Sequence, residues 1–192
     1  MKLNVGCGKD VRPGYVNVDL HSAPDLDVQC DLSLLPWPWA DGQAEEVMML
    51  DFLEHFPYAK TDEMLVECWR VLEPGGKLII QVPDGEHLGK IFVNRNSVPG
   101  MCNKCGSVLW NKDCNNCGQK YQDILAAAVA RLFGGQDYPG NWHQTVFTRD
   151  ILTSKLEFHG FTGVEFLEFN ENGETYYQNW NIKVTAVKKD LW

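Results

Sequence analysis

Four of the chain's seven cysteines fall in one run, MCNKCGSVLWNKDCNNCGQKY, as Cys102, Cys105, Cys114 and Cys117. Two residues separate the thiols within each pair, and eight separate the pairs. A Cys-x-x-Cys turn presents both sulfurs to one tetrahedral ion. Gly106 and Gly118, directly after the pairs, can adopt the backbone conformation that frees an N–H to bond a sulfur. The spacing predicts a small ribbon over 98–121 closed by one Zn²⁺, with iron in the same cage or a pair of disulfides as the minor alternatives. Four thiolates leave no open coordination position, so the expected ion is structural. The other cysteines, Cys7, Cys30 and Cys68, are solitary and read as small core residues.

A second constellation lies at the start of the chain. Val5-Gly6-Cys7-Gly8 closes a strand-like run, and Asp19 and Asp31 each end or follow another. Glycines at alternate positions let backbone N–H groups approach a ligand, and an acidic residue at the neighbouring strand tip suits two ribose hydroxyls. The dinucleotide fingerprint needs a third glycine at position 11, which is Val11. That argues against hydride transfer. The turn by itself reads equally well as purely structural.

These residues need a scaffold, and the hydrophobic pattern supplies one. Residues 2–5, 15–20, 26–30 and 45–50 read as strands, and 77–82 (KLIIQV) as a strand buried on both faces. Leu65, Cys68, Trp69 and Leu72 give helical spacing over 61–73, ended by Pro74-Gly75-Gly76. Residues 85–100 carry no clear period. A helix is predicted over 122–133, with Leu125, Val129 and Leu132 on one face, and another over 149–158, capped by Thr148 and stopped at Gly160. Residues 161–169 and 180–187 alternate like a hairpin pair. The order predicts a three-layer α/β sheet, mostly parallel, with an antiparallel C-terminal edge.

The string LNVGCG…PGYVNVDL…CDLSLLPWPWADGQAEEVMMLDFLEHF…VECWRVLEPGGKLIIQVPD resembles a class I S-adenosylmethionine-dependent methyltransferase of the small LNLGCG-type. The likeness runs over nearly all of 1–84 and resumes at 131–161. The resemblance implies a Rossmann-like methyltransferase domain over 1–97 and 122–192, with S-adenosylmethionine as cofactor. It implies that Gly6, Cys7 and Gly8 lie along the methionine part, that Asp19 takes the ribose hydroxyls, and that Leu20 lines the adenine. Asp31 and Leu32 match the pair at the adenine edge; Leu50 and Asp51 match the position facing the methyl. Asp31 could instead cap a turn, and Asp51 a helix. Two departures stand out. Gly8 to Asp19 is too short for a full crossover helix, so that helix is expected to be shortened or missing. Asn4 stands where the family carries an acidic residue, and Asp10 where it carries its third glycine.

Methyl transfer needs mainly alignment of a nucleophile, with a base for amine or hydroxyl acceptors. Asp51, His55, His143 and Tyr138 are the candidate bases, with His143 the better acceptor-side choice and His55 read as a structural contact. Trp37 and Trp39 read as loop anchors. The favoured function is methylation of a small molecule or sugar, the ribbon acting as lid or substrate clamp. An inactive module docking a protein through the ribbon, and a nucleic-acid methyltransferase, are the alternatives. A net charge of −9 disfavours nucleic acid for the body of the chain and leaves only the ribbon, with Lys104, Lys112 and Lys120. No run suits a membrane span and no leader is visible, so a cytoplasmic protein is expected.

Overall fold

The computed structural model describes residues 1–93, 100–101, 108–109, 115–118, 121–137, 140–167 and 180–189. Its strands are β1 (Lys2–Val5), β2 (Val16–Asp19), β3 (Val28–Gln29), β4 (Ala44–Leu50), β5 (Leu72–Pro83), β6 (Gly100–Met101), β7 (Val108–Leu109), β8 (Phe161–Phe166) and β9 (Asn181–Lys188). Its α-helices are α1 (Tyr58–Val71), α2 (Gly85–Val93), α3 (Tyr121–Phe133) and α4 (Arg149–Phe158). Seven strands make one sheet in the order β3-β2-β1-β4-β5-β9-β8. The pairs from β3 to β5 are parallel, and β9 runs antiparallel to both β5 and β8. The expected parallel body and antiparallel edge are both present.

Register divides the sheet into two chemically different faces. Leu3, Val47, Leu78 and Ala186 lie side by side on one face, as do Met49, Ile80 and Val184. These join Met64, Leu65, Cys68 and Val71 of α1 and Leu152 and Leu156 of α4 in one continuous core. Trp37 and Trp39 close that core beside α1, edge to face with ring centroids 6.2 Å apart. They are packing residues, as their Pro-rich setting suggests. Glu67 of α1 is buried under this loop, where it accepts from the Trp37 N–H at 2.6 Å and from Arg70 at 3.0 Å. The opposite face carries Asn4, Asn17, Glu46, Met48, Gln81, Lys183 and Thr185. Among the described residues no helix spans 6–15 or 20–27, so the helix expected to be shortened or missing after β1 is absent there.

Side-chain hydrogen bonds organise the helix-free β1–β2 connection. Asn17, almost fully buried, accepts from the Asn4 amide at 3.0 Å and from the Arg12 N–H at 2.8 Å. It donates to the Arg12 and Tyr15 carbonyls and to Asp27. The Tyr15 hydroxyl bonds Glu46 on β4. Burial first, and then that carboxylate, push the Tyr15 phenol up to about 12. It remains a donor. Thus an amide hub replaces the apolar helix face that would otherwise tie the two strands.

Several boundaries move. The helix expected over 61–73 runs Tyr58–Val71, because β5 already begins at Leu72, paired with Ala44. Pro74-Gly75-Gly76 therefore sits in an irregularity within β5 instead of a gap between helix and strand. The stretch without clear period contains α2. In α3 Leu132 packs inward beside buried Ala128 as its place on the expected face suggests, whereas Val129 is exposed. Thr148 caps α4 as expected, its side chain accepting from the Ile151 N–H. Beyond the ends of β5 and β9, α2 and α3 meet around Leu88, Ile91, Ala128 and Trp180. No helix among the described residues is long and apolar enough to cross a membrane.

Candidate active site

Parallel sheets offer ligands the crevice outside the carboxyl ends of their strands. There the turn after β1 bends through two left-handed glycines, Gly6 at φ 67° and Gly8 at φ 53°. A Cβ at Gly6 would lie 2.0 Å from the Phe52 ring, so only glycine lets this ring from the β4 side pack on the turn. A Cβ at Gly8 would meet nothing within 4 Å. The turn is closed beneath and open above, as a backbone cradle for a ligand must be.

Asp19 ends β2 beside that turn, and its two oxygens accept from the Gly8 N–H at 2.8 Å and the His21 N–H at 2.9 Å. Carboxylate oxygens each have two acceptor positions, so one on each is left for a hydroxyl. Cys7 is buried; burial, followed by the Asp19 charge, pushes its thiol up to about 11. It is a packing group here and no nucleophile.

Leu20 is exposed next to Asp19 and available to a flat ring. Asp31 caps a turn, accepting from the Ser33 N–H at 2.9 Å and its hydroxyl at 2.6 Å, and these bonds hold its carboxyl below the usual range. Leu32 lies in the core with its carbonyl bonded to the Trp37 indole, so its side chain lines nothing; only its backbone can face a ligand. Leu50 is half-buried at the end of β4.

Asn4, where a ligand-facing acid is expected, is spent internally: its amide donates to the Asp10 carbonyl at 2.7 Å and to Asn17. Its position in the cradle is structural.

Asp51 follows β4 with φ 52° and does not cap a helix. Its carboxylate accepts from Arg131 of α3 at 2.7 Å, from Asn181 of β9 at 3.2 Å and from Gln81 of β5 at 3.3 Å. Arg131 also donates to Asn181 at 2.8 Å. Asp51 is thereby an anchor for α3, and less a base than its place in the sequence suggests.

Immediately after it comes a 3-10 turn, Leu53–His55. Glu54 points inward and is fully buried, and neither of its oxygens has a hydrogen-bond partner among the described residues. Burial above all, then the Asp51 charge, drives its carboxyl upward. The His143 ring lies over it with Nε2 3.9 Å from Oε1, and His55 meets His143 edge to face at 4.8 Å between centroids. Burial first, then His55 and Arg131, push His143 down to about 4, so it is a neutral imidazole near neutrality. Of the candidate bases, His55 and His143 thus come together; Tyr138 lies outside the described residues. Sequence reasoning missed Glu54, Gln81, Arg131 and Asn181. For Glu54 alone a local signal existed, a carboxylate adjacent to His55.

Of the four clustered cysteines, Cys102, Cys105 and Cys114 lie outside the described residues. Cys117 sits in a turn ending at Gly118, which takes φ 73°, and packs against the cluster of Leu88, Ile91, Ala128 and Trp180.

Residues 7–80 match the family described as a methyltransferase domain. The matched stretch is less than half of the chain. The likeness is to enzymes, and Cys7, Gly8, Asp19 and Asp51 lie within the matched stretch, with Gly6 one residue before it. No curated protein matches the sequence. Among solved structures, the fold resembles a Burkholderia thailandensis 1,6-didemethyltoxoflavin-N1-methyltransferase with bound S-adenosylhomocysteine, at 16% identity and TM-score 0.56 over 98% of this chain and 71% of that one. A Thermotoga maritima S-adenosylmethionine-dependent methyltransferase, described as a possible histamine N-methyltransferase, gives 16% and 0.57 over 98% and 82%. A Methanosarcina mazei S-adenosylmethionine-dependent methyltransferase gives 17% and 0.53 over 98% and 92%. The chain thus has the fold seen in these S-adenosylmethionine-dependent methyltransferases.

Proposed function

We propose that this methyltransferase uses S-adenosylmethionine to methylate a small-molecule acceptor, with a zinc-closed ribbon over 98–121 as lid or substrate-recognition element. The observation that carries the cofactor reading is the open, left-handed turn at Gly8, tied to the Asp19 carboxylate. The cradle fits the group: a backbone approach over Gly8, unused acceptor positions on Asp19 for vicinal hydroxyls, and exposed Leu20 for the adenine. Bound S-adenosylmethionine supplies an electrophilic methyl on its sulfonium. The chain aligns and shields. Gly6, Cys7 and Gly8 offer backbone to the methionine part, Asp19 orients the ribose, and Leu50 and Asp51 border the transfer position. Asp31 and the Leu32 backbone stand at the adenine edge. His143, held beside Glu54, stands on the acceptor side.

The ribbon reading is supported by the antiparallel pairing of Met101 with Val108, which brackets the first cysteine pair, and by the left-handed Gly118 after Cys117. Acidic composition favours a small acceptor over nucleic acid. Calorimetry with S-adenosylmethionine tests the cofactor. Binding is expected, weakened about tenfold or more in Asp19→Ala, which removes a charge-assisted hydrogen bond of roughly 1.5–3 kcal/mol. Absence of binding at high cofactor concentration rejects the cofactor reading.

A further inference from the structure

The strongest group of side chains outside the cofactor turn is the buried cluster after β4. It is not a chance meeting of surface rotamers, because backbone bonds hold the two segments together. The Gln144 and Thr145 N–H groups both donate to the Glu54 carbonyl, at 2.8 and 3.2 Å. The Gln144 amide donates to the His55 carbonyl at 2.7 Å, and the Thr145 hydroxyl to that of Phe56 at 2.6 Å. On the other side the His143 N–H donates to Phe133, at the end of α3. Glu54, His55 and His143 are thus fixed on facing backbones.

Their polar atoms are left in an expensive state. Glu54 is fully buried with two unpartnered oxygens, and the His143 Nδ1 is buried and unpartnered too among the described residues. Leaving such groups unpaired in an enclosed site is unfavourable, because they have given up water and gained no partner. The nearby cation cannot relieve it, since Arg131 is committed to Asp51 and Asn181. A proton on Glu54 would supply one donor and still leave an acceptor without a partner. A single cation bound by all three side chains would satisfy them together.

We propose that Glu54, His55 and His143 form a binding site for one divalent first-row transition-metal ion. One ligand atom from each residue lies within 4.8 Å of the others. Ligands about 2.0–2.2 Å from an ion lie some 3–4 Å apart, so side-chain rotations of under about 1 Å close the site. Two imidazoles and a carboxylate suit Zn²⁺, Fe²⁺, Co²⁺ or Mn²⁺ and leave positions open for an incoming ligand. The His55 Nδ1 lies 3.2 Å from the Gly140 carbonyl, the contact that fixes a ligating ring by its other nitrogen. Glu54 stands three residues after Asp51, which borders the proposed transfer position; a role toward the acceptor, unlike the site itself, rests on the methyl-transfer reading. The acceptor class that follows carries an oxygen able to bind the metal next to the atom methylated.

Mn²⁺ is the probe, followed by electron paramagnetic resonance on the full chain, because a hard ion avoids a four-thiolate ribbon. One saturable Mn²⁺ per chain is expected, with affinity at least about tenfold weaker in Glu54→Gln and His143→Ala. Mn²⁺ should also raise the unfolding temperature of the wild-type chain and not of Glu54→Gln. Should either variant fail to fold, half-buried His55→Gln gives the same reading. Wild-type protein without saturable Mn²⁺, or unchanged affinity in the variants, overturns the site. Calorimetry with S-adenosylmethionine on the same preparations separates that failure from failure of the cofactor reading.

Discussion

Between β1 and β3 the chain crosses from strand to strand through 6–15 and 20–27 without a helix, held by Asn4, Asn17 and Asp27; between β4 and β9 it crosses through α1 and α4, held by Leu65, Met64, Leu152 and Leu156. Both regions close parallel or mixed strands into one sheet. The first does so with directional bonds, which fix the geometry of a short turn. The second does so with apolar area, which supplies most of the stability. The difference teaches that directional bonds can define a tight turn between parallel strands without a following helix. The turn at Gly6 and Gly8 lies on the hydrogen-bonded side, and the cluster of Glu54, His55 and His143 on the packed side.

The comparison can be broken most forcefully at Leu65, fully buried on α1. Leu65→Ala should cost about 3–4 kcal/mol in denaturant unfolding, with cofactor affinity unchanged. Next comes the amide hub. Asn17→Ala removes an acceptor for two donors and a donor to three carbonyl or carboxylate oxygens. It should cost about 2–3 kcal/mol and, in contrast to the leucine variant, weaken cofactor binding in calorimetry. If both variants lower stability alone, the division of labour between the regions fails.

Gly6→Ala sharpens the same point. At φ 67°, with the Phe52 ring 2.0 Å from the new Cβ, the backbone penalty of about 1–2 kcal/mol is joined by displacement of the ring. Reduced unfolding midpoint together with reduced cofactor affinity is expected.

The smallest effect belongs to an ion cluster on the packed side, where Asp62 accepts from Lys155 at 2.8 Å and His159 at 2.9 Å. Burial alone would raise the Asp62 carboxyl, but hydrogen bonds from Lys155 and His159 and their charges outweigh it and lower it. A carboxyl lowered on folding contributes stability above its unfolded pKa and loses that contribution as pH falls through the folded value. Asp62→Asn should therefore cost at most about 0.5–1 kcal/mol near neutral pH, given the 40% exposure of the side chain. The difference from wild type should vanish in strong acid, as read by thermal unfolding across pH.

Much of the fold was legible because its signals are local. Periodicity alone marks KLIIQV as a buried strand and VECWRV as a helical stripe, and Thr148 announces α4 by the hydroxyl its first turn needs. The turn after β1 was legible for the same reason: left-handed positions and a strand-end carboxylate leave residue types behind. What failed was anything set by a partner distant in sequence. Asp51 looks like a base or a cap until Arg131, 80 positions later, is seen to hold it. Leu32 looks like a ligand contact until Trp37 closes over it. Pro74-Gly75-Gly76 looks like a stop, yet pairing with Ala44 extends the strand on both sides of it.

The sequence by itself determined the alternation of strands and helices, the antiparallel edge, the short first crossover and the Gly6–Gly8–Asp19 cradle, since each follows from local backbone preference and side-chain period. Only the tertiary structure decided that one face of the sheet stays polar, that Asn4 serves the fold instead of a ligand, and that Glu54, His55 and His143 share one buried site. Burial and unpaired charge are properties of an enclosure, and an enclosure exists only after distant segments have packed.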